Sequence, residues 1–284
     1  MASMRDIKRR KSSIQSTQQI TKAMKLVSTV KLQKARARAE EANPYFNYMY
    51  KTVTSMLRKS GNINHPYLTE NDSDRIAVVT VTSNRGLAGG YNMNVCKAIM
   101  ESGLEKGKVD IFAIGGKGQE ILERRGYHIA QTTTEMIENP QYVDAAVLCK
   151  QILEKYEKVE IGQIYLADAH FKNTVSQEPK LLKLLPVDIN PEDASEEDDI
   201  IMNYEPNEEE ALNMIIPKYV TSLFYGALVE ASASENGARM QAMDSATSNA
   251  EDIISDLTLK YNRARQGSIT QELTEIIAGA NAIS

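Results

Sequence analysis

The chain has 284 residues, room for one or two domains, and a net charge of −5. It has no Trp and four Phe but abundant Ala, Ser, Met and Gln, which suits long helices better than a thick core. Cys96 and Cys149 lack metal-type spacing and read as buried thiols of a reducing compartment; no apolar run nears the roughly 18 residues of a bilayer span, and the basic N-terminus lacks a secretory apolar core. A soluble or membrane-peripheral protein is expected.

The charge is uneven. Residues 1–40 hold 11 basic side chains and two acids, Asp6 and Glu40, about +9. Residues 188–210 hold 11 acids and no base. At least two different partner surfaces are expected.

In chain order, residues 1–59 predict a helix. From Arg5 the segment has no Gly and one Pro, Pro44, which should kink it or cost one hydrogen bond. Ile7, Ile14, Ile20, Met24, Val27 and Val30 form a thin apolar stripe, near but not on a strict heptad. After a linker at 60–74, residues 75–190 alternate in type. RIAVVTVTS, VDIFAIG, a weak segment near 128–132, EIGQIYLADAHF and KLLKLLPV read as strands. NMNVCKAIMESGLEKG, GKGQEILERRG and YVDAAVLCKQILEKYEKV read as helices between them. This predicts a Rossmann-like α/β domain with a mostly parallel sheet. Residues 191–206 read as an acidic surface loop.

Residues 207–284 predict a second long helix. A seam of small residues runs through Ile216, Val220, Leu223, Ala227, Ala231, Ser234, Ala238, Ala242, Ser245, Asn249 and Ile253, a mean step of 3.7 residues. That step favours a nearly straight or slightly right-handed pair. The two terminal helices should pair antiparallel as a coiled coil. At ~75 and ~55 residues, the second should project roughly 30 Å past the first. Its last stretch, IIAGANAIS, is uncharged, which implies a socket in another protein or a simple docked end.

The turn SNRGLAGGYN after the first strand has the setting of a nucleotide site but not its residues. A Walker A loop needs Gly-Lys-Ser/Thr, and this turn has no Lys; in GGKGQE, Lys117 is followed by Gly118. Gly86, Gly89 and Gly90 miss the dinucleotide spacing. A tight strand-to-helix connection is the favoured reading, with no cofactor and no metal. Among His65, His128 and His170, the cluster Asp168-Ala169-His170 at a strand end is the best catalytic candidate, and a weak one. The basic helix lacks the interleaved aromatics of a nucleic-acid reader. A nucleotide-dependent enzyme and a basic coiled-coil nucleic-acid binder remain as rivals.

Residues 12–35, SSIQSTQQITKAMKLVSTVKLQKA, and 264–282, ARQGSITQELTEIIAGANA, resemble the γ-subunit family of F-type ATP synthases, of bacterial type. SNRGLAGGYN is similar to that family's SDRGLCGGLN-like loop, with Ala88 where many members have Cys. The plant-type insertion with a regulatory cysteine pair is missing. The resemblance implies a non-catalytic rotor subunit whose helices form a left-handed coiled coil inside a ring of three α and three β subunits. Its globular part would meet the ε subunit and the membrane c-ring, on the cytoplasmic face of the cell membrane. It implies ring contacts at Met24, Lys25, Arg239, Arg265, Gln266, Thr270 and Glu272, and a shaft tip at Ile276 and Ile277. It places contacts with the c-ring and ε loosely around Met202, Tyr204 and Glu205.

Overall fold

A computed structural model describes residues 3–59, 65–174, 176–187 and 207–283. The expected elements are present. Helix α1 spans Met4–Lys59 and α5 spans Glu208–Ile283. Between them come β1 (Ile76–Val81), α2 (Tyr91–Met100), a 3-10 turn (Lys106–Lys108), β2 (Val109–Ile114) and α3 (Gly116–Arg124). Then follow β3 (His128–Thr133), α4 (Tyr142–Glu157), β4 (Gln163–Phe171) and β5 (Gln177–Leu185).

The sheet order is β3-β2-β1-β4-β5. β3, β2, β1 and β4 pair in parallel, and β5 pairs antiparallel to β4. Short β-branched runs such as IAVVTV suit the interior of a parallel sheet, which is covered on both faces. Alternation sends Ala77, Val79 and Val81 into one apolar layer and Val78 into the other. The first layer holds α4 with residues of α1 and α5; the second holds α2 and α3.

Contacts divide the chain into two compact units, residues 29–239 and residues 1–28 with 240–284. The division cuts across both long helices, whereas the sequence places its boundaries at their ends. Within the larger unit, α5 lies on α1 through aromatic contacts. The Phe46 and Tyr225 rings are 6.2 Å apart, and Tyr50 and Tyr219 are 6.4 Å apart. Gly226 fits under Phe46, whose ring would be 3.2 Å from an added Cβ. α1 runs on through Pro44, where the missing N–H removes one rung of the helix ladder.

One window of α5 is apolar enough by length and composition to cross a membrane, with a mean hydropathy of 1.2, contrary to the sequence expectation. More than half of that window, 56%, is buried inside the protein. Its apolarity is that of a core helix packed on a sheet.

Within the smaller unit the helices pair antiparallel. The Thr21 and Thr247 hydroxyls are 2.8 Å apart, Gln18 Nε2 donates to Glu251 Oε1 at 3.0 Å, and Lys25 Nζ lies 2.5 Å from Asp244 Oδ1. This register brings Ser3 level with about residue 265. The ~18 helical residues beyond rise ~27 Å, in keeping with the expected overhang.

The inward face differs from both seams expected. On α1 the covered positions 4, 7, 11, 14, 18, 21, 25, 28, 32 and 35 follow a 3.5-residue repeat, with Met24 and Thr29 half-buried beside it. Ile7, Ile14 and Met24 are partly covered, but Ile20 is 59% exposed and Val27 and Val30 also face out. Thr21 and Ser28, at 8% and 2% exposure, take the inward places. On α5 the seam holds as far as Ala242, but Ser245, Asn249 and Ile253 are exposed, and Met243, Ala250 and Leu257 point inward at heptad spacing. A 3.5-residue repeat is the pattern a left-handed supercoil requires. The 3.7-residue reading is corrected. Small and hydroxyl side chains share the seam with Leu32, Met243 and Leu257, so apolar character alone does not mark it.

Candidate functional site

The glycine turn at the C-terminal end of β1 is the natural place for a ligand in a doubly wound sheet. Beside it, the start of α3 is filled by the protein itself. The first N–H groups of α3 already have acceptors. Gly116 N donates to Asn84 Oδ1 at 3.3 Å, Lys117 N to the Ser83 carbonyl at 3.0 Å and Gly118 N to Thr82 Oγ1 at 2.9 Å. A phosphate cradle needs such groups free. Thr82 Oγ1 donates in turn toward the Ile114 and Gly115 carbonyls, at 3.1 and 3.2 Å.

The close approach belongs to the second glycine turn. A Cβ on Gly118 would lie 2.5 Å from Thr82 Oγ1. In the first turn Gly89 has φ 56°, but so does a leucine: Leu87 sits at φ 63° with its side chain exposed. For a branched residue this is a strained conformation. Its neighbours explain how it persists. Asn84 Nδ2 donates to the Thr134 carbonyl at 2.7 Å, and Ser83 N donates to Asn92 Oδ1 at 2.9 Å. From α5, Arg239 Nη2 reaches the Arg85 and Gly86 carbonyls at 3.3 and 3.4 Å, while its Nη1 bonds Glu235 at 2.5 Å. Tyr91, under the turn, is buried, and burial pushes its phenol well above the ordinary range.

With the α3 amides taken, the full chain should bind no ATP in equilibrium dialysis at millimolar nucleotide. Saturable binding there would revive the nucleotide-enzyme reading.

The catalytic candidate Asp168-Ala169-His170 lies at the end of β4 under α5. His170 Nδ1 is 2.7 Å from Glu230 Oε2, so its partner is a helix carboxylate. Asp168 is 7% exposed, and burial beside Glu230 raises its carboxyl to about 7. Both cysteines are buried, as expected, and burial pushes each thiol up to about 12, which keeps it protonated and inert.

The residues singled out by resemblance fall into three groups. Met24 is half-buried, and Lys25 and Arg239 bond within the chain. Arg265, Gln266, Thr270 and Glu272 are exposed on α5, as are Ile276 at 68% and Ile277 at 59%. Met202, Tyr204 and Glu205 lie outside the described residues. The bracing of the turn by Arg239 has no local signal in the sequence, because its carbonyl partners are 153 and 154 residues away.

A family model described as ATP synthase matches residues 3–283. An ATP synthase gamma chain of Lachnoclostridium phytofermentans is 64% identical over all of both chains. A sodium-ion-specific ATP synthase gamma chain of Acetobacterium woodii is 38% identical over 99% of each. Among solved structures, a chain of the Tetrahymena thermophila mitochondrial ATP synthase central stalk and c-ring aligns at TM-score 0.60 and 25% identity, over 80% of this chain and 99% of that one. A chain of the Euglena gracilis mitochondrial ATP synthase rotor shares the fold at TM-score 0.69 and 18% identity, over 94% and 98%.

Proposed function

The chain belongs to the ATP synthase gamma-chain family, and on that premise we propose that it is a non-catalytic rotor shaft, coupling ion flow through the membrane sector to the nucleotide sites of an α/β ring. The observation that carries this reading is the long antiparallel helix pair with an uncovered end. The residues 269, 273, 276 and 277 of α5 are large, apolar and exposed, and Ile20, Leu26, Val27 and Val30 of α1 are likewise. Apolar side chains turned outward on a coiled coil call for a surrounding partner.

Rotation couples through differential contact. An asymmetric shaft presents a changing face to each β subunit, and a contact equal in every state shifts no equilibrium. Arg265, Gln266, Thr270 and Glu272 supply exposed polar groups for the upper ring contacts. Met24 lies lower on α1, and a ring contact by Lys25 would compete with its bond to Asp244. The same reading puts the ε subunit and the c-ring against the globular part. It makes the protein peripheral to the cytoplasmic face of a bacterial membrane through the complex.

Co-purification with tagged β tests this. The expected complex has one copy of this chain per ring of three α and three β subunits, with ε present, and ATP hydrolysis only in the complex. Hydrolysis by the chain alone, or its absence from the complex, would defeat the reading.

A further inference from the structure

The C-terminal end of β4 carries α5 through three successive contacts. His170 Nδ1 meets Glu230 at 2.7 Å, Ser234 Oγ donates to the Ala169 carbonyl at 2.8 Å, and Gly237 lets the Phe171 ring approach to 3.2 Å from where a Cβ would be. In the midst of these contacts Asp168 is buried, a carboxyl that the rotor reading does not use. We propose that Asp168, with Glu230 and His170, forms a proton-operated seat that fastens α5 to the sheet when Asp168 is protonated and loosens it when Asp168 is ionised.

The surroundings set the direction. From α5 the charge that bears on Asp168 is Glu230, a like charge for an ionised carboxyl. On its own strand His170 favours the ionised carboxyl, the weaker influence because Glu230 already engages its ring. From β5, Lys180 is the cross-strand partner of Asp168, but it is exposed and its charge is screened by water. Glu178 on β5 stands opposite His170 and bonds Lys172. From α2 the buried phenol of Tyr91 adds no positive charge. A second carboxylate inside this contact is therefore desolvated and repelled together.

Protons can reach the seat, because the His170 and Glu230 side chains are each 39% exposed. The proton that leaves Asp168 goes to solvent, and no other bond changes. The sign follows from linkage. Closed, Asp168 titrates at about 7; opened to water it returns to the ordinary aspartate value of 3.8. Opening is hardest in acid, becomes easier as pH rises through this window, and levels off above about 7. Because α5 runs on as one helix to Ile283, the seat sets how firmly that helix is held at its base.

Hydrogen exchange of the 227–237 amides in the full chain, corrected for intrinsic rates, tests the seat. The opening constant is expected to rise up to about tenfold per pH unit between pH 5 and pH 7, roughly a hundredfold in all. Asp168→Asn should abolish that dependence while leaving the amides protected. Glu230→Gln, which leaves Asp168 in place, should move the rise to lower pH. A flat wild-type profile would overturn the proposal, as would an unchanged slope in Asp168→Asn; if that variant does not fold, an unshifted Glu230→Gln profile would do the same. The readout needs no partner subunit, so its failure is distinct from failure of the rotor reading.

Discussion

Gly115→Ala is expected to destabilise the protein by about 4 kcal/mol or more. A Cβ at this position would lie 2.1 Å from the Thr82 carbonyl oxygen and 2.6 Å from its carbon. Both atoms are backbone, and they cannot retreat cheaply. Thr82 N is bonded to the Ile114 carbonyl at 2.8 Å, and Gly115 N to the Thr133 carbonyl at 2.9 Å. The residue also sits at φ 93°, which an L side chain rarely adopts. Against a total stability of roughly 5–15 kcal/mol the loss is large. Gly116→Ala is the matched control, since nothing lies within 4 Å of its Cβ position and it begins α3. It should stay within about 1 kcal/mol of the parent. Urea unfolding followed by circular dichroism compares the two. A Gly115→Ala midpoint equal to that of Gly116→Ala would refute the packing account of this turn.

The double substitution Ile276→Asp with Ile277→Asp should do the opposite, sparing the fold and damaging assembly. Both side chains are exposed, so unfolding of the chain alone should change by no more than about 0.5 kcal/mol. In a ring socket the same positions lose water. Placing carboxylates there should weaken binding to the α/β ring on the order of 10²- to 10³-fold, about 3–4 kcal/mol. Truncation before Ser268 removes the same surface and should reproduce the loss while residues 29–239 keep their exchange protection. Equal ring affinity for the parent and the double variant would show that the tip carries no contact.

The sheet was legible because its strands are short β-branched runs between turn residues, and even the weak segment near His128 became β3. Both long helices were legible from composition. Their seam was not. A reading guided by hydrophobicity chose Ile20, Val27 and Val30, which face outward, and passed over Thr21 and Ser28, which face inward. In a helix that also needs partners outside itself, apolar residues lie on the outer face as well as the inner, where Leu32, Met243 and Leu257 alternate with small and hydroxyl side chains. The glycine turn was legible as a tight strand-to-helix connection. What holds it was not, because Leu87 takes a positive φ that its sequence does not announce and Arg239 arrives from α5. Several shaft residues, Arg265 to Glu272, come from resemblance alone, and the structure adds only that they are exposed.

The central claim is that this chain turns inside a ring whose nucleotides it never touches. Its two cysteines are buried, so a single cysteine introduced at exposed Lys97 can carry a bead selectively. With the α/β ring fixed to glass through β, the account predicts that ATP drives the bead in one direction, in steps set by the threefold ring. Full ATP hydrolysis with a stationary bead would contradict it.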